Sequence, residues 1–306
     1  MNKLVIKALG EFSIHEIGSI SRIEEKDMWN IDDKYIIKTH TDLKNLEKIV
    51  WLNDELYQAG AQVPKYYKTN AGVLYVKAGE DVYYTLADKI RGVSSVGMYE
   101  GNYKKRAFSI GKSIAKFHLA LKKLTGKIEC WDNDFMAEFH GWISREVKDK
   151  NIQIKQDVLD YLTGFDELYR KLPRQIIHRD LHRGNMLIDN DELTAIIDIN
   201  DITQVNVRIF DLCYYVSFFP DSKNDEEVEK WFIVFKNLLS GYNTISAFTD
   251  DELEAIPYMC AFIELLWIAF TAMVKGSADN LPDNGFWTYD NREKLLFSKQ
   301  DIIKTQ

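Results

Sequence analysis

Apolar and polar residues alternate through much of the first third of the chain, and a period of two predicts short, half-buried strands. "SIHEIG" (13–18), "KDMWNI" (26–31) and "KYIIKTH" (34–40) read as three such strands, with Asp32 and Asp33 marking the turn between the last two. The period then lengthens. Leu43, Leu46, Val50 and Leu56 fall close to helical spacing in "TDLKNLEKIVWLNDELYQAG", with Thr41 or Asp42 as N-cap and Gly60 as stop. "VPKYY" resumes an extended path, and "GVLYVKAGEDVYYTLADKIRG" predicts a hairpin turning at Gly79, Glu80 and Asp81. The expected first unit is a small sheet with one helix.

After Gly92 the helical period dominates, beginning with the amphipathic "NYKKRAFSIGKSIAKFHLALKKL". The exception is a strand-rich segment at 174–199. No repeat and no linker-like tract separates the two halves, so the expected division is 1–90 and 91–306 across a short connection near 88–95.

Within the strand-rich segment, "IIHRDLHRGNMLID" (176–189) sets histidines, arginines, aspartates and an asparagine between two apolar runs. "NMLID-NDE-LTAIID" predicts a hairpin turning at Asn190, Asp191 and Glu192, which places Asn185 opposite Asp198. A one-residue slip would reverse the facing of every side chain. An amide and a carboxylate converging at the open end of a hairpin offer two hard oxygen ligands, suited to Mg²⁺ that takes its other ligands from phosphate and water. Asp180 lies five residues before Asn185 on the feeding loop. A carboxylate there could orient a substrate hydroxyl and accept its proton.

Composition narrows the picture. Of 306 residues, 46% are hydrophobic and 28% charged, enough apolar material for a sizeable core. The formal charge of −8 argues against nucleic acid or an anionic membrane as partner and is compatible with a cationic one. Cys130, Cys213 and Cys260 show no zinc or disulfide spacing. With no signal-like N-terminus, the expected compartment is the cytoplasm. The apolar run "YMCAFIELLWIAFTAMV" carries Glu264, falls short of a membrane span and reads as a buried helix.

"DLHRGN" (180–185), "IID" (196–198) and "RIFDLCYY" (208–215) together resemble the kinase-like small-molecule phosphotransferases, the aminoglycoside phosphotransferase and choline kinase group. The resemblance covers most of residues 15–215. It implies an α+β, bilobal, protein-kinase-like fold: a small antiparallel-sheet N-lobe with one helix and a larger, mainly helical C-lobe. It implies Asp180 as base, Asn185 and Asp198 as Mg²⁺ ligands, and Asp211 as a brace. Lys38, ending "YIIK", stands where such folds keep the lysine that contacts the nucleotide phosphates. Its acidic partner is expected from the next helix, Glu47 in preference to Glu55. Gly18 and Ser19 would belong to a phosphate-covering loop joining the first two strands, and backbone groups from Asp88 to Ile90 would bond adenine. His118 is read as a hydrogen-bonded core residue. Arg179 departs from the family, which usually has glycine there; "HRD" is similar to protein kinases, but no D-F-G follows and the path from Asp198 to Asp211 leaves no room for an activation segment.

The implied reaction is transfer of the γ-phosphoryl group of ATP, with GTP as the alternative donor, to a hydroxyl of a small, amine-bearing acceptor. Asp201 would assist the metal or the acceptor. Glu264 and Trp267, three apart on one helix face, are further acceptor-site candidates. An aminoglycoside or other antibiotic is the first expectation. A choline- or homoserine-like metabolite, a protein substrate, or a non-catalytic nucleotide-binding role are the alternatives, and oligomeric state is left open.

Overall fold

Val5, Ala8, Leu9 and Phe12 recur at helical spacing and are all buried, the first three on helix α1 (Lys3–Glu11). The computed structural model describes residues 3–23, 27–199, 203–220, 223–276 and 286–303. The chain forms two units, Met1–Ser95 with Gly184–Asp201, and Val96–Arg183 with Ile202–Gln306.

The first unit continues with β1 (Ile20–Ile23), β2 (Met28–Ile31), β3 (Tyr35–His40), α2 (Leu43–Gln58), β4 (Val76–Gly79) and β5 (Val82–Asp88). The strands form one antiparallel sheet in the order β1-β2-β3-β5-β4. Asp32 and Asp33 both take positive φ (52° and 55°), the backbone of a two-residue turn whose twist matches the strands it joins. Strand alternation sorts the two helices. Tyr84 and Leu86 pack with Ile37 against α1, whereas Tyr83 packs with Leu46 and Val50 of α2. Asp42 caps α2 by accepting from the Asn45 N–H (3.1 Å), and Gly60 closes it with φ 77°.

Two expectations need correction here. The first ninety residues hold two helices, because the spacing from Val5 to Phe12 is helical and its apolar face covers the sheet. "SIHEIG" is not a strand: the first strand begins at Ile20, the residue that pairs with Ile31.

The second unit opens with α3 (Tyr103–Leu124), then β6 (Trp131–Asp132), α4 (Phe135–Glu138), α5 (Ser144–Asp149), α6 (Gln156–Thr163), α7 (Asp166–Tyr169) and β7 (Arg174–Ile177). The chain next supplies the hairpin β8 (Met186–Asp189) and β9 (Glu192–Ile196) to the first unit. This differs from the expected split at residue 90. The Val93 N–H and carbonyl bond Ile188 (2.9 Å each), Thr194 donates to the Arg91 carbonyl, and Gln62 bonds both Leu193 and Ile196, tying the hairpin into that unit.

The hairpin's register also differs from the expected one. Its turn has two residues, Asn190 and Asp191, both at positive φ, and a bulge at Thr194 shifts the pairing by one. Asn185 therefore bonds Ile197 (2.9 Å) rather than facing Asp198. Asp198 lies past the ladder in left-handed backbone (φ 62°).

The second unit ends with β10 (Gln204–Val207), α8 (Ile209–Tyr215), α9 (Asp225–Asn243), α10 (Asp250–Lys275), α11 (Trp287–Asp290) and α12 (Lys299–Ile303). β10 lies between β6 and β7. Helices α3 and α9 touch backbone to backbone at two glycines: a Cβ on Gly111 would lie 2.0 Å from the Leu238 carbonyl oxygen, and one on Gly241 equally close to that of Phe108. This approach lets His118 on α3 reach Tyr242 on α9. α10 spans 26 residues, longer than the apolar run within it, and is long and apolar enough by length and composition to cross a membrane. Its buried residues pack against α8 and α11, which accounts for the apolar composition.

Candidate active site

In the first unit, Lys38 faces the same side of the sheet as His40, whose Nε2 meets the Thr85 hydroxyl at 3.1 Å. The Lys38 ammonium lies 2.6 Å from the Asp198 carboxylate. Both side chains are partly exposed, so the pair adds little to stability. What it does is hold a lysine and a potential metal ligand at one point. Glu47 does not take this place: it is exposed and accepts a hydrogen bond from the Tyr75 hydroxyl (2.7 Å). Glu55 does not take it either: among the described residues the acid on Lys38 is Asp198.

Burial holds the His40 imidazole down at about 4, with the Lys38 charge adding to the effect and Asp198 opposing it. The unfolded chain, with an ordinary histidine near 6.5, then binds a proton that the folded chain refuses. Stability is complete above that value and is lost as pH falls toward 4. Going from pH 7 to pH 5 is expected to cost about 1–2 kcal/mol. Thermal unfolding across that range should show the fall, and His40→Gln should flatten it; an unchanged slope in the variant would exclude His40 as the source.

Asn185 is buried and sits on a single helical turn, Arg183–Asn185, just before β8. Asn185 and Asp198 supply only oxygen donors, and among the described residues no cluster of three His, Cys, Asp or Glu could replace them. That donor set fits Mg²⁺, which accepts few protein ligands and fills its shell from phosphates and water; it does not fit zinc.

Gly18 and Ser19 are not where a phosphate-covering loop was expected. The Ser19 N–H donates to Asp32 (2.6 Å), beside the β2–β3 turn. Lys38 pairs with Met28, at the other end of β2, where β2 follows the β1–β2 connection, residues 24–27. Gly18 and Ser19 thus lie at the end of β2 away from Lys38, and residues 24–26 lie outside the described residues. At the end of β5, the Asp88 and Lys89 N–H groups are bonded to Lys65 and Lys34, and the Asp88 carboxylate accepts from Tyr67. Asp88 therefore spends its N–H and carboxylate within its own unit.

In the second unit, the loop after β7 is fixed by one buried acid. Asp211 on α8 accepts from the His178 N–H (2.8 Å), the Arg179 N–H (2.9 Å) and His118 Nε2 (2.9 Å). The other His118 nitrogen meets the Tyr242 hydroxyl at 3.0 Å. Both readings, Asp211 as brace and His118 as core residue, match this geometry. Arg179 takes φ 73°, a conformation in which glycine is easiest. Its guanidinium bonds both Glu138 oxygens and lies 4.6 Å from the Phe135 and Phe210 ring centres.

Asp180 follows, and its carboxylate accepts from the Tyr214 hydroxyl at 3.2 Å. Burial, with that carboxylate beside it, pushes the Tyr214 hydroxyl above the ordinary tyrosine range, so it stays a donor. Tyr214 stacks on Trp267 (5.7 Å, 15°), and Asp180, Tyr214 and Trp267 line a cavity of about 440 Å³ walled also by Trp142 and Phe270.

Trp267 is thus in the same cavity as Asp180, but Glu264 is not among its lining residues. Glu264 accepts the Trp287 and Thr288 N–H groups and the Thr288 hydroxyl, so it caps α11. Burial raises its pKa against those three bonds. Asp201 lies outside the described residues. Sequence reasoning missed Tyr214, Glu138 and Gln204 as cavity residues. Tyr214 lay within a quoted motif, three residues after Asp211; the other two carry no local signal.

The first unit thus holds a sheet-borne lysine paired with Asp198, and the second, taken by itself, a loop aspartate beside an open cavity. The family model of the phosphotransferase enzyme family APH matches residues 26–243, more than half the chain, and the chain belongs to that family. It is 29% identical over 164 residues to a homoserine kinase of Zymomonas mobilis subsp. mobilis, covering 51% of this chain and 47% of that protein. The chain spans about half the length of the curated relatives it matches. Among solved structures, it is similar to an aminoglycoside phosphotransferase from Alicyclobacillus acidocaldarius (TM-score 0.66, 12% identity, 98% of this chain and 94% of that one). It is also similar to an amicoumacin kinase in complex with AMP-PNP and Ca²⁺ (TM-score 0.60, 16% identity, 94% and 88%). The fold is protein-kinase-like and α+β.

Proposed function

We propose that this chain transfers the γ-phosphoryl group of ATP to a hydroxyl of a small molecule. The observation that carries the reading is Asp180: an acceptor-only carboxylate, oriented by Tyr214, at the edge of an aromatic-walled cavity large enough for a small acceptor. In that role Asp180 orients the acceptor hydroxyl and takes its proton as the bond to phosphorus forms. Lys38 contributes positive charge to the nucleotide phosphates, and Asn185 and Asp198 would hold Mg²⁺. The metal, when bound, neutralises charge on the β- and γ-phosphates. Lys38 and Tyr35, the partner of Asp88, are three residues apart on β3, about 10 Å along the strand. That separation suits a nucleotide with its phosphates at Lys38 and its base near Asp88 to Ile90. Most of the acceleration then comes from positioning and fixed charge.

A metabolite acceptor is favoured over an antibiotic by one observation, the 29% identity to a homoserine kinase. An antibiotic acceptor is the second reading, supported by fold alone. The test is transfer of label from γ-labelled ATP with Mg²⁺ to an aminoglycoside, choline, homoserine and a generic protein. Transfer to one small-molecule class is expected. Labelling of the protein alone, or ATP binding without transfer to any alcohol, would overturn the reading.

A further inference from the structure

Arg179 and Gln204 both line the Asp180 cavity, and each carries a buried nitrogen donor with no hydrogen-bond partner among the described residues: Arg179 Nη1 and Gln204 Nε2. Such orphans are rare in folded proteins and call for an explanation. The surrounding bonds fix which atoms are left over. The Asn133 side-chain oxygen accepts from the Asp134 N–H (2.8 Å), so its amide nitrogen is the end that reaches Glu138 and the Gln204 oxygen (3.4 Å). Gln204 Oε1 is therefore engaged and Nε2 is spare. Arg179 spends Nη2 on Glu138, and the rings of Phe135 and Phe210 hold its plane. Gln204 is 1% exposed, so its unpaired N–H is a buried one.

Arg179 pairs with Glu138, which leaves the Asp180 carboxylate as the remaining charge of the lining; an acceptor carboxylate therefore belongs at the spare donors of Arg179 and Gln204, with the hydroxyl end at Asp180. Arg179 also holds a backbone conformation that penalises every side chain beyond glycine, and such positions persist where the side chain has a task.

We propose that this cavity binds an acceptor carrying a carboxylate as well as its hydroxyl, a small hydroxy acid whose carboxylate takes the spare N–H groups of Arg179 and Gln204 while its hydroxyl meets Asp180. The inference rests on the phosphotransferase reading for the role of the hydroxyl; the carboxylate subsite stands on the donors alone. It also refines the expected amine-bearing acceptor, since the carboxylate rather than the amine sets the preference.

Three matched probes separate the groups. L-Homoserine has hydroxyl, amine and carboxylate; 4-hydroxybutanoate lacks the amine; 3-aminopropan-1-ol lacks the carboxylate. Trp142 and Trp267 line the cavity, so quenching of tryptophan fluorescence reads binding without turnover. Both carboxylates are expected to bind at least about ten-fold more tightly than the amino alcohol, the scale of one charge-assisted hydrogen bond. Gln204→Leu should remove most of that preference and leave the amino alcohol's affinity unchanged. Should Gln204→Leu not fold, Gln204→Glu keeps the side chain's shape and places a negative charge against the carboxylate, with the same expected loss. Equal affinity for all three probes, no binding of either carboxylate, or a variant that weakens all probes alike would overturn the subsite. Transfer assays on the same probes separate the two readings. Carboxylate-selective binding without phosphoryl transfer sinks the phosphotransferase reading and keeps the subsite; equal transfer to all three keeps the reading and sinks the subsite.

Discussion

Asp180→Asn is expected to lower phosphoryl transfer by ~10²–10⁴ while nucleotide affinity and thermal midpoint stay near those of the parent protein. The asparagine has the same shape, and its side-chain oxygen can still accept from the Tyr214 hydroxyl. The loop should therefore keep its path, because its anchors are the His178 and Arg179 N–H groups on Asp211 rather than the Asp180 carboxylate. What the amide lacks is basicity and negative charge, so the loss should fall on kcat. Steady-state transfer at saturating ATP measures it, with calorimetric nucleotide binding alongside. Unimpaired transfer would remove Asp180 as the base. A collapse in nucleotide binding would assign it a structural role instead.

The residues legible in the sequence were those whose signal is local. Asp180, Asn185 and Asp198 were picked out within one strand-rich segment, and Lys38 within a strand, β3, recognisable by its own alternation. The elements that carry them were legible for the same reason: the caps and stops of α2, the paired aspartates of the β2–β3 turn, the amphipathic period of α3. Partners set by distant segments were not. Glu47 lies on the helix expected to face Lys38, but the carboxylate that reaches the lysine comes from 160 residues away. Glu264 reads equally as a core acid or a site acid until its partners, the first N–H groups of α11, are known. The hairpin register turned on one bulged residue, Thr194, whose hydroxyl bonds the Arg91 and Leu187 carbonyls. Nothing in "DELTAIID" announces that bulge. Gly18 failed for a related reason: a single glycine marks a turn without saying which end of a four-residue strand it serves. Arg179 was visible as a departure from the family, but its meaning needed the positive φ and the Glu138 pair.

Asp211→Ala is expected to have the largest effect on stability, and its consequences should reach catalysis by a different route from Asp180→Asn. Asp211 is fully buried and accepts three hydrogen bonds, two of them from the backbone of the loop that carries Asp180. Alanine leaves those N–H groups and the His118 imidazole without their acceptor in a buried place. Removing one partner from a buried charged network costs about 3–5 kcal/mol, since each abandoned group keeps its desolvation penalty. Chemical denaturation should report that loss. The local effect follows from Arg179. Its left-handed backbone is held by the bond from its own N–H to Asp211; once that bond is gone, the residue can relax toward an ordinary conformation and turn Asp180 away from Tyr214. Transfer should therefore fall together with stability, whereas Asp180→Asn separates the two. Asp211→Asn makes the distinction sharper. It restores one acceptor oxygen but sets an NH₂ group against a donor, so partial recovery of stability with little recovery of transfer is expected. A variant as stable as the parent, or one that loses stability but keeps full transfer per folded molecule, would show that the loop is held by contacts other than this carboxylate.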